Sequence, residues 1–357
     1  MTRYGNGRAA LEDDAVTAEA LGWPRRRRSL PEPEIVLCPR FGDPRREPWI
    51  APPGWGPAAG VRGLVPRRAS GMPWTFIADV PGVLPYLARL GEAPQTGGAR
   101  VALFGLGRVG GVAATVLASM AVRRSGIREL LVYDADPANL ERWLIELRSI
   151  AEWRGRECLP VVRGTTPDEA FRECGAFLFA ATAGVPPLGA AGDVRMVQYA
   201  PNRKILKGLL AQARAAAYTG LFLVVSDPVD WLALAAFHDS NTDRRGAFTG
   251  AGLAPERIAG LGLGVMWARA LAAARREGWE EVARRGAVFG PHGLDVLAFD
   301  DLRRPEPGRS ETLGAAARGD NFLVRKLGFL PFVGPGASSV ALTLPALLAG
   351  REMLASV

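Results

Sequence analysis

Residues 99–111, Ala-Arg-Val-Ala-Leu-Phe-Gly-Leu-Gly-Arg-Val-Gly-Gly, restrict the possible fold more tightly than any other stretch of the chain. A short apolar run of strand type, Val101–Phe104, enters the glycine turn Gly105-x-Gly107-x-x-Gly110, and an alanine-rich helix follows. The chain then returns to a second apolar run, Leu130–Tyr133, which ends in Asp134. Strand, glycine turn, helix, strand and terminal acid in this order describe a dinucleotide-binding βαβ unit. Glycines let the backbone turn tightly and approach a pyrophosphate, which rests on the helix N-terminus where free N–H groups and the dipole favour an anion. Asp134 can accept hydrogen bonds from the adenosine ribose hydroxyls and would repel a 2′-phosphate, so the expected cofactor is NAD rather than NADP. Arg108 and Val109 complete the turn and join Gly105, Gly107, Gly110 and Asp134 as candidate cofactor contacts. A glycine triplet alone also serves close helix–strand packing; the flanking strands and the acid favour the nucleotide.

At 357 residues and 48% hydrophobic content, the chain can bury two cores of globular type. No apolar run reaches the ~18 residues of a membrane helix, so no membrane partner is expected. The N-terminal stretch MTRYGNGRAALEDDAV lacks a signal-like apolar segment, which points to the cytoplasm. Cys38, Cys158 and Cys174 show no CxxC or Cys/His spacing and read as reduced structural residues. With 2 histidines in the chain, a histidine-built metal site is not expected. The net charge of +8 comes almost wholly from arginine, since Lys204, Lys207 and Lys326 are the lysines. The dense basic cluster Arg25–Arg28 lies among prolines without interleaved aromatics, so it reads as a solvated or partner-facing tract and not as a nucleic-acid surface.

Three segments are expected. Half of the 28 prolines precede residue 99, and stretches such as Pro44–Pro57 exclude long helices and central strands. Residues 1–98 are therefore an irregular extension, packed on the core or on a neighbouring subunit. Glu34–Cys38 and Trp74–Val80 are strands or anchors within it, and Pro85–Leu90 is a short amphipathic turn. From residue 99 to 231, strands at 101–104, 130–133, 159–163, 176–181 and 221–225 alternate with helices near 110–123, 137–153 and 200–217, the pattern of a parallel sheet. Residues 232–357 form a substrate domain with a long helix near 260–277, a strand Ala287–Phe289, a loop, and a C-terminal helix from Ala337.

Several stretches beyond the glycine turn occur in a suggestive order. Phe177–Gly184 ends a strand in a small-residue turn carrying Thr182, Ala183 and Gly184. Arg195 stands seven residues before Asn202 at a helix start; Val224-Val225-Ser226-Asp227-Pro228-Val229-Asp230 closes another strand. Arg257-Ile-Ala-Gly-Leu-Gly leads to Arg269, and Gly290-Pro291-His292-Gly293 forms a loop. In this order the chain from about residue 99 to 357 resembles the lactate/malate dehydrogenase family of NAD-dependent 2-hydroxyacid dehydrogenases. The resemblance implies an α/β fold: a Rossmann-type doubly wound parallel sheet followed by an α+β lactate/malate dehydrogenase-like C-terminal domain. It also implies a small carboxylate-bearing substrate and a homo-oligomer, dimer or tetramer.

By that resemblance His292 is the acid/base residue, Arg269 grips the substrate carboxylate in a two-pronged salt bridge, and Arg195 closes over the substrate and polarises its carbonyl. Thr182, Ala183, Gly184, Asn202 and Val225 join the cofactor contacts. Taken singly, His292 also reads as a loop cap, Arg269 as a solvated or intersubunit ion-pair residue, and Arg195 carries no signal; only joint placement selects the catalytic reading.

Departures from the family pattern fall in the active site. Met266 replaces the aspartate that orients the histidine, so His292 should be less basic and its tautomer less fixed. Asp227 replaces an asparagine; there it would repel a keto-acid oxygen, pair with protonated His292, or bind an ammonium or iminium nitrogen. Leu330 and Pro331 make one substrate wall apolar. The closing stretch Val185–Gly192 is long, small-sided and free of basic residues, which argues against malate or oxaloacetate. A polar insertion, His238–Gly252, is expected in the same region.

Three functions follow. The first is NAD-dependent hydride transfer on a 2-oxo/2-hydroxy acid with a bulky or apolar side group, of the kind used in specialised metabolism. The second is imine reduction of amine- or opine-dehydrogenase type, using Asp227. The third is a non-catalytic NAD-binding member whose extension docks a partner.

Overall fold

The fold is described from a computed structural model. The structure describes residues 100–150, 158–188, 195–247, 249, 252–254 and 257–349, together with the backbone of four short strands nearer the N-terminus. The chain divides into two units: residues 1–93 with 241–254, and residues 94–240 with 255–357.

In the first unit, strands β1 (Arg3–Gly5) and β2 (Ala9–Glu12) pair antiparallel, Arg3 opposite Glu12. Strand β3 (Ile35–Leu37) runs parallel to β2, and β4 (Trp74–Thr75) parallel to β3. Both apolar stretches expected as strands or anchors thus contribute strands, and the extension is less irregular than its prolines suggest. The expected turn Pro85–Leu90, the basic cluster Arg25–Arg28 and Cys38 lie outside the described residues. The insertion residues of this unit are organised by Asn241. Its amide donates to the Leu253 carbonyl at 2.9 Å and accepts from the Gly252 N–H at 2.8 Å.

The second unit is built on six parallel strands: β5 (Arg100–Phe104), β6 (Glu129–Tyr133), β7 (Val161–Gly164), β8 (Ala176–Phe179), β9 (Leu221–Val224) and β10 (Ile258–Gly260). Their order is β10-β9-β8-β5-β6-β7, with every neighbour pair parallel. The order of strand addition reverses between β5 and β8, which makes the sheet doubly wound and opens a crevice at their C-terminal ends. Strand β10 falls where the sequence pattern places the start of the long helix. Three residues carry too short a pattern to separate from the helix that follows them.

The strands alternate with period two between two chemically different faces. Val101, Leu103, Leu130, Val132, Leu178 and Leu223 face an aliphatic layer that includes Ala113, Ala114 and Leu117 of helix α1 (Arg108–Ser119). On the opposite face Phe104, Phe177 and Phe222 stack with Phe171 and Tyr218 at centroid separations of 4.5–6.5 Å. Each of these rings is essentially excluded from solvent. Removing one, as in Phe177→Ala, should cost about 3–5 kcal/mol.

Helix starts follow side-chain chemistry. Helix α1 stops at Ser119, short of the expected residue 123, and a separate one-turn helix α2 (Val122–Ser125) follows. Asp136 caps helix α3 (Pro137–Arg148) and Thr166 caps α4 (Pro167–Glu173), each followed by proline at the first helical position. Helix α5 (Tyr199–Ala215) and α6 (Val229–Ser240) complete the sheet's connections.

The C-terminal part adds α7 (Leu263–Arg276), α8 (Val282–Arg285), the hairpin β11 (Ala287–Phe289) with β12 (Leu297–Phe299), α9 (Pro307–Lys326), α10 (Val333–Ala341) and α11 (Leu344–Leu348). Helix α9 has no counterpart in the sequence pattern, because its charged and glycine-containing surface weakens the helical apolar period.

Small residues bring α1 and α7 together through α10. A Cβ on Gly336 of α10 would lie 2.5 Å from the Val109 carbonyl oxygen, and one on Gly264 of α7 would lie 2.6 Å from that of Ser338. Among the described residues no helix is long and apolar enough to cross a membrane.

Candidate active site

The crevice is bounded on one side by the glycine turn. Gly105 has φ +98°, and a Cβ there would meet the Ala181 backbone at 2.4 Å. A Cβ on Gly110 would lie 1.8 Å from the Gly105 carbonyl oxygen. These two glycines are demanded by packing alone. Gly107 is different: nothing lies within 4 Å of the place its Cβ would take, and it begins α1 without a side-chain cap. Open space in front of uncapped helical N–H groups is the cradle a pyrophosphate requires.

The other nucleotide-side candidates divide into two groups. Asp134, at the end of β6, accepts the Leu106 N–H at 2.7 Å through Oδ2 and the Asp136 N–H at 3.0 Å through Oδ1. Each oxygen retains acceptor capacity for a ribose hydroxyl. Arg108 is exposed with its guanidinium 5.9 Å from the centre of the Phe332 ring, and Val109 is half-buried beside α10. Thr182, Ala183 and Gly184 form a turn after β8 that is largely open to solvent.

Asn202 and Val225 sit differently from expectation. Asn202 is 0% exposed, and its amide accepts the Ala183 N–H at 2.9 Å while donating to the Asp227 carbonyl at 2.8 Å. It is a clamp between two loops, with no surface left for a ligand. Val225 is buried in the aliphatic layer and donates its N–H to the Phe179 carbonyl at 2.9 Å.

The charged candidates converge on the other side of the crevice. Ser226, which donates to the Ala181 carbonyl at 2.7 Å, and the Asn202 clamp hold Asp227 beside the glycine turn. His292 Nε2 faces Asp227 Oδ1 at 3.8 Å. Arg195 reaches the same place: a Cβ on Gly293 would lie 3.2 Å from its Nη1. Arg269 projects from α7, its Nη1 donating to the Ala317 carbonyl at 3.2 Å and resting on Met266 Sδ at 3.4 Å. Nε and Nη2 are left for a ligand.

The electrostatics link all of them. Burial pulls the His292 imidazole below its ordinary value; Asp227 and Asp230 oppose this, and Arg195 and Arg269 add to it. Burial likewise lowers Arg269, opposed by Asp320. The expected lower basicity of His292 agrees with this direction. Its tautomer, expected to be loose, is instead held: Nδ1 lies 2.9 Å from the Gly262 carbonyl. A carbonyl can only accept, so the proton of the neutral ring sits on Nδ1 and the lone pair on Nε2.

Two residues with no role in the sequence pattern emerge here. Gly262 supplies that carbonyl, and a Cβ on it would lie 2.4 Å from His292 Cβ, so only glycine admits the ring. Asp230 accepts the His292 backbone N–H at 2.8 Å and pins the loop to the start of α6. The visible signal for Gly262 is a glycine at a helix start that lacks the usual oxygen-bearing cap.

Leu330 lies half-buried in the loop joining α9 to α10, as does Pro331. Of the closing stretch, Val185 and Leu188 are exposed, and residues 189–194 lie outside the described residues. Cys158 is exposed and Cys174 buried, its thiol pushed up to about 12 by burial.

No family model matches the sequence, and no curated protein matches it. Solved structures do match. The minor L-lactate dehydrogenase of Enterococcus mundtii, crystallised in a ligands-bound form, is similar with a TM-score of 0.55 and 18% identity, over 71% of this chain and 78% of that one. MGS-M5, a lactate dehydrogenase from a Medee basin deep-sea metagenome library, is similar with a TM-score of 0.52 and 18% identity, over 69% of this chain and 77% of that one. The likeness, together with the six-stranded parallel sheet, shows an α/β fold of Rossmann type with a lactate dehydrogenase-like arrangement.

Proposed function

We propose that the chain is an NAD(H)-dependent oxidoreductase acting at a carbon beside a substrate carboxylate, the chemistry of a 2-oxo/2-hydroxy acid with a bulky or apolar side group. The observation that carries this reading is the gathering of His292, Arg195, Arg269 and Asp227 beside the open glycine turn. Gly107, the α1 N-terminus and Asp134 would hold the dinucleotide, which would supply hydride-transfer chemistry there.

Each side chain has a task under this reading. Arg269, with Nε and Nη2 available, grips the carboxylate in two prongs, which lysine cannot imitate. Its partial desolvation strengthens the grip. His292 Nε2 exchanges the proton at the reacting heteroatom while the Gly262 carbonyl keeps the ring in one orientation. Arg195, packed over Gly293, stabilises charge on the reacting atom. By the resemblance to lactate/malate dehydrogenases the protein assembles as a homo-oligomer.

A panel of apolar 2-oxo acids with NADH, each with and without ammonia to form the 2-imino acid, tests the reading. Turnover is expected, and Arg269→Lys should raise KM by about tenfold or more with a smaller effect on kcat. Tight NADH binding without turnover of any 2-oxo or 2-imino acid would contradict it and favour the non-catalytic alternative.

A further inference from the structure

Resting on the carboxylate and nucleotide roles proposed above, we infer that the reacting carbon of the substrate carries nitrogen, so that the site takes an α-amino acid and its imino counterpart. In the neutral ring Gly262 holds the imidazole proton on Nδ1, so Nε2 presents a lone pair. Opposite it, Asp227 Oδ1 is buried and has no hydrogen-bond partner. The His292 side chain is 10% exposed. Two acceptors thus face one another across 3.8 Å, too far for a direct hydrogen bond and right for a shared partner. A single donor atom bridging the two would satisfy Asp227 Oδ1, which the protein leaves without a partner.

That atom must donate twice. A ketone oxygen has no hydrogen, and a hydroxyl has one; an ammonium or iminium nitrogen has at least two. The nitrogen also brings positive charge to the Asp227 carboxylate, where a ketone oxygen brings a lone pair. Arg269 on α7 faces the same place and suits a carboxylate, so carboxylate and nitrogen on one carbon find complementary partners.

The chemical step balances. In the oxidative direction the C–H bond breaks with its electron pair leaving as hydride to the oxidised nicotinamide dinucleotide. One N–H proton passes to His292 Nε2, and the nitrogen pair forms the C=N bond. The iminium product keeps its positive charge beside Asp227 and retains N–H donors. The reverse sequence reduces the imino acid.

The test is calorimetric binding to the full chain, first of NADH and NAD+, then of matched 2-amino, 2-hydroxy and 2-oxo acids sharing one bulky apolar side group. With the oxidised dinucleotide present, the amino acid should bind at least about tenfold tighter than the hydroxy acid, the yield of one charge-assisted hydrogen bond. Asp227→Asn should remove that preference. Equal binding of amino and hydroxy acids, or a preference unchanged in Asp227→Asn, overturns the nitrogen inference and leaves the dehydrogenase reading standing. Absence of dinucleotide binding, or of binding by all three acids, overturns both.

Discussion

The glycine turn and the charged cluster face one crevice, yet they are constrained in opposite ways. The turn is set by backbone geometry: Gly105 and Gly110 leave no room for any other residue. The cluster is set by side-chain chemistry and departs from the family pattern, with Met266 in place of the orienting aspartate and a carboxylate, Asp227, in front of the histidine. A backbone-determined site admits almost no substitution without loss of the fold. A side-chain-determined site can exchange its partners and change what it binds. The histidine keeps its orientation because a peptide carbonyl, that of Gly262, performs the orienting task.

Glycine substitutions should break this comparison first. Gly110→Ala places a Cβ against the Gly105 carbonyl and should lower stability by about 3 kcal/mol or more in urea unfolding. Gly107→Ala, facing open space, should leave stability within about 0.5 kcal/mol while weakening NADH binding. Equal stability losses in both variants would mean that the turn is only a packing device.

On the side of the cluster, Gly262→Ala forces the His292 ring from its place. Turnover should fall about a hundredfold, the contribution of a positioned acid/base group, with less stability lost than in Gly110→Ala. A variant with unaltered kcat would show that the imidazole does not need this seat. Met266→Asp supplies the carboxylate of the family pattern and should raise the His292 pKa, since a nearby negative charge favours the protonated ring. Proton resonances of the 2 histidines, His238 and His292, read this directly. An unchanged titration would mean that the introduced carboxylate pairs with Arg269 alone.

The smallest effect concerns pH and stability. Burial lowers the His292 pKa in the folded chain relative to 6.5, so the unfolded chain binds the proton more readily. The neutral ring's contribution is complete above about pH 6.5 and is lost as pH falls through the window beneath it. Wild type should therefore lose more stability than His292→Gln between about pH 6.5 and acid conditions, measured by denaturant unfolding at each pH. Parallel losses would remove the buried neutral imidazole from the account.

Legibility in the sequence follows the same division. The βαβ unit is readable because strand burial, glycine spacing and the terminal Asp134 are local signals. The convergence of Arg195, Asp227, Arg269 and His292 is readable only through the order of several weak motifs. Asp230 shows no such sign, since a carboxylate that binds a distant N–H leaves no local pattern, and Gly262 shows only an uncapped helix start, which does not reveal that its carbonyl holds a histidine. Asn202 reads as a cofactor contact only through the resemblance. Burial and two backbone partners make it a clamp instead. Helix α9 escapes the sequence pattern because its buried residues Leu313, Gly314 and Ala317 are too few to impose a period on its 20 positions.

The most direct test of the central claim is a calorimetric titration of the full chain with NADH and NADPH in parallel. The account predicts saturable NADH binding, NADPH at least about tenfold weaker, and loss of that preference in Asp134→Ala, because the carboxylate meets a hydroxyl in one ligand and a phosphate in the other. No heat with either ligand, or a preference for NADPH, would contradict it.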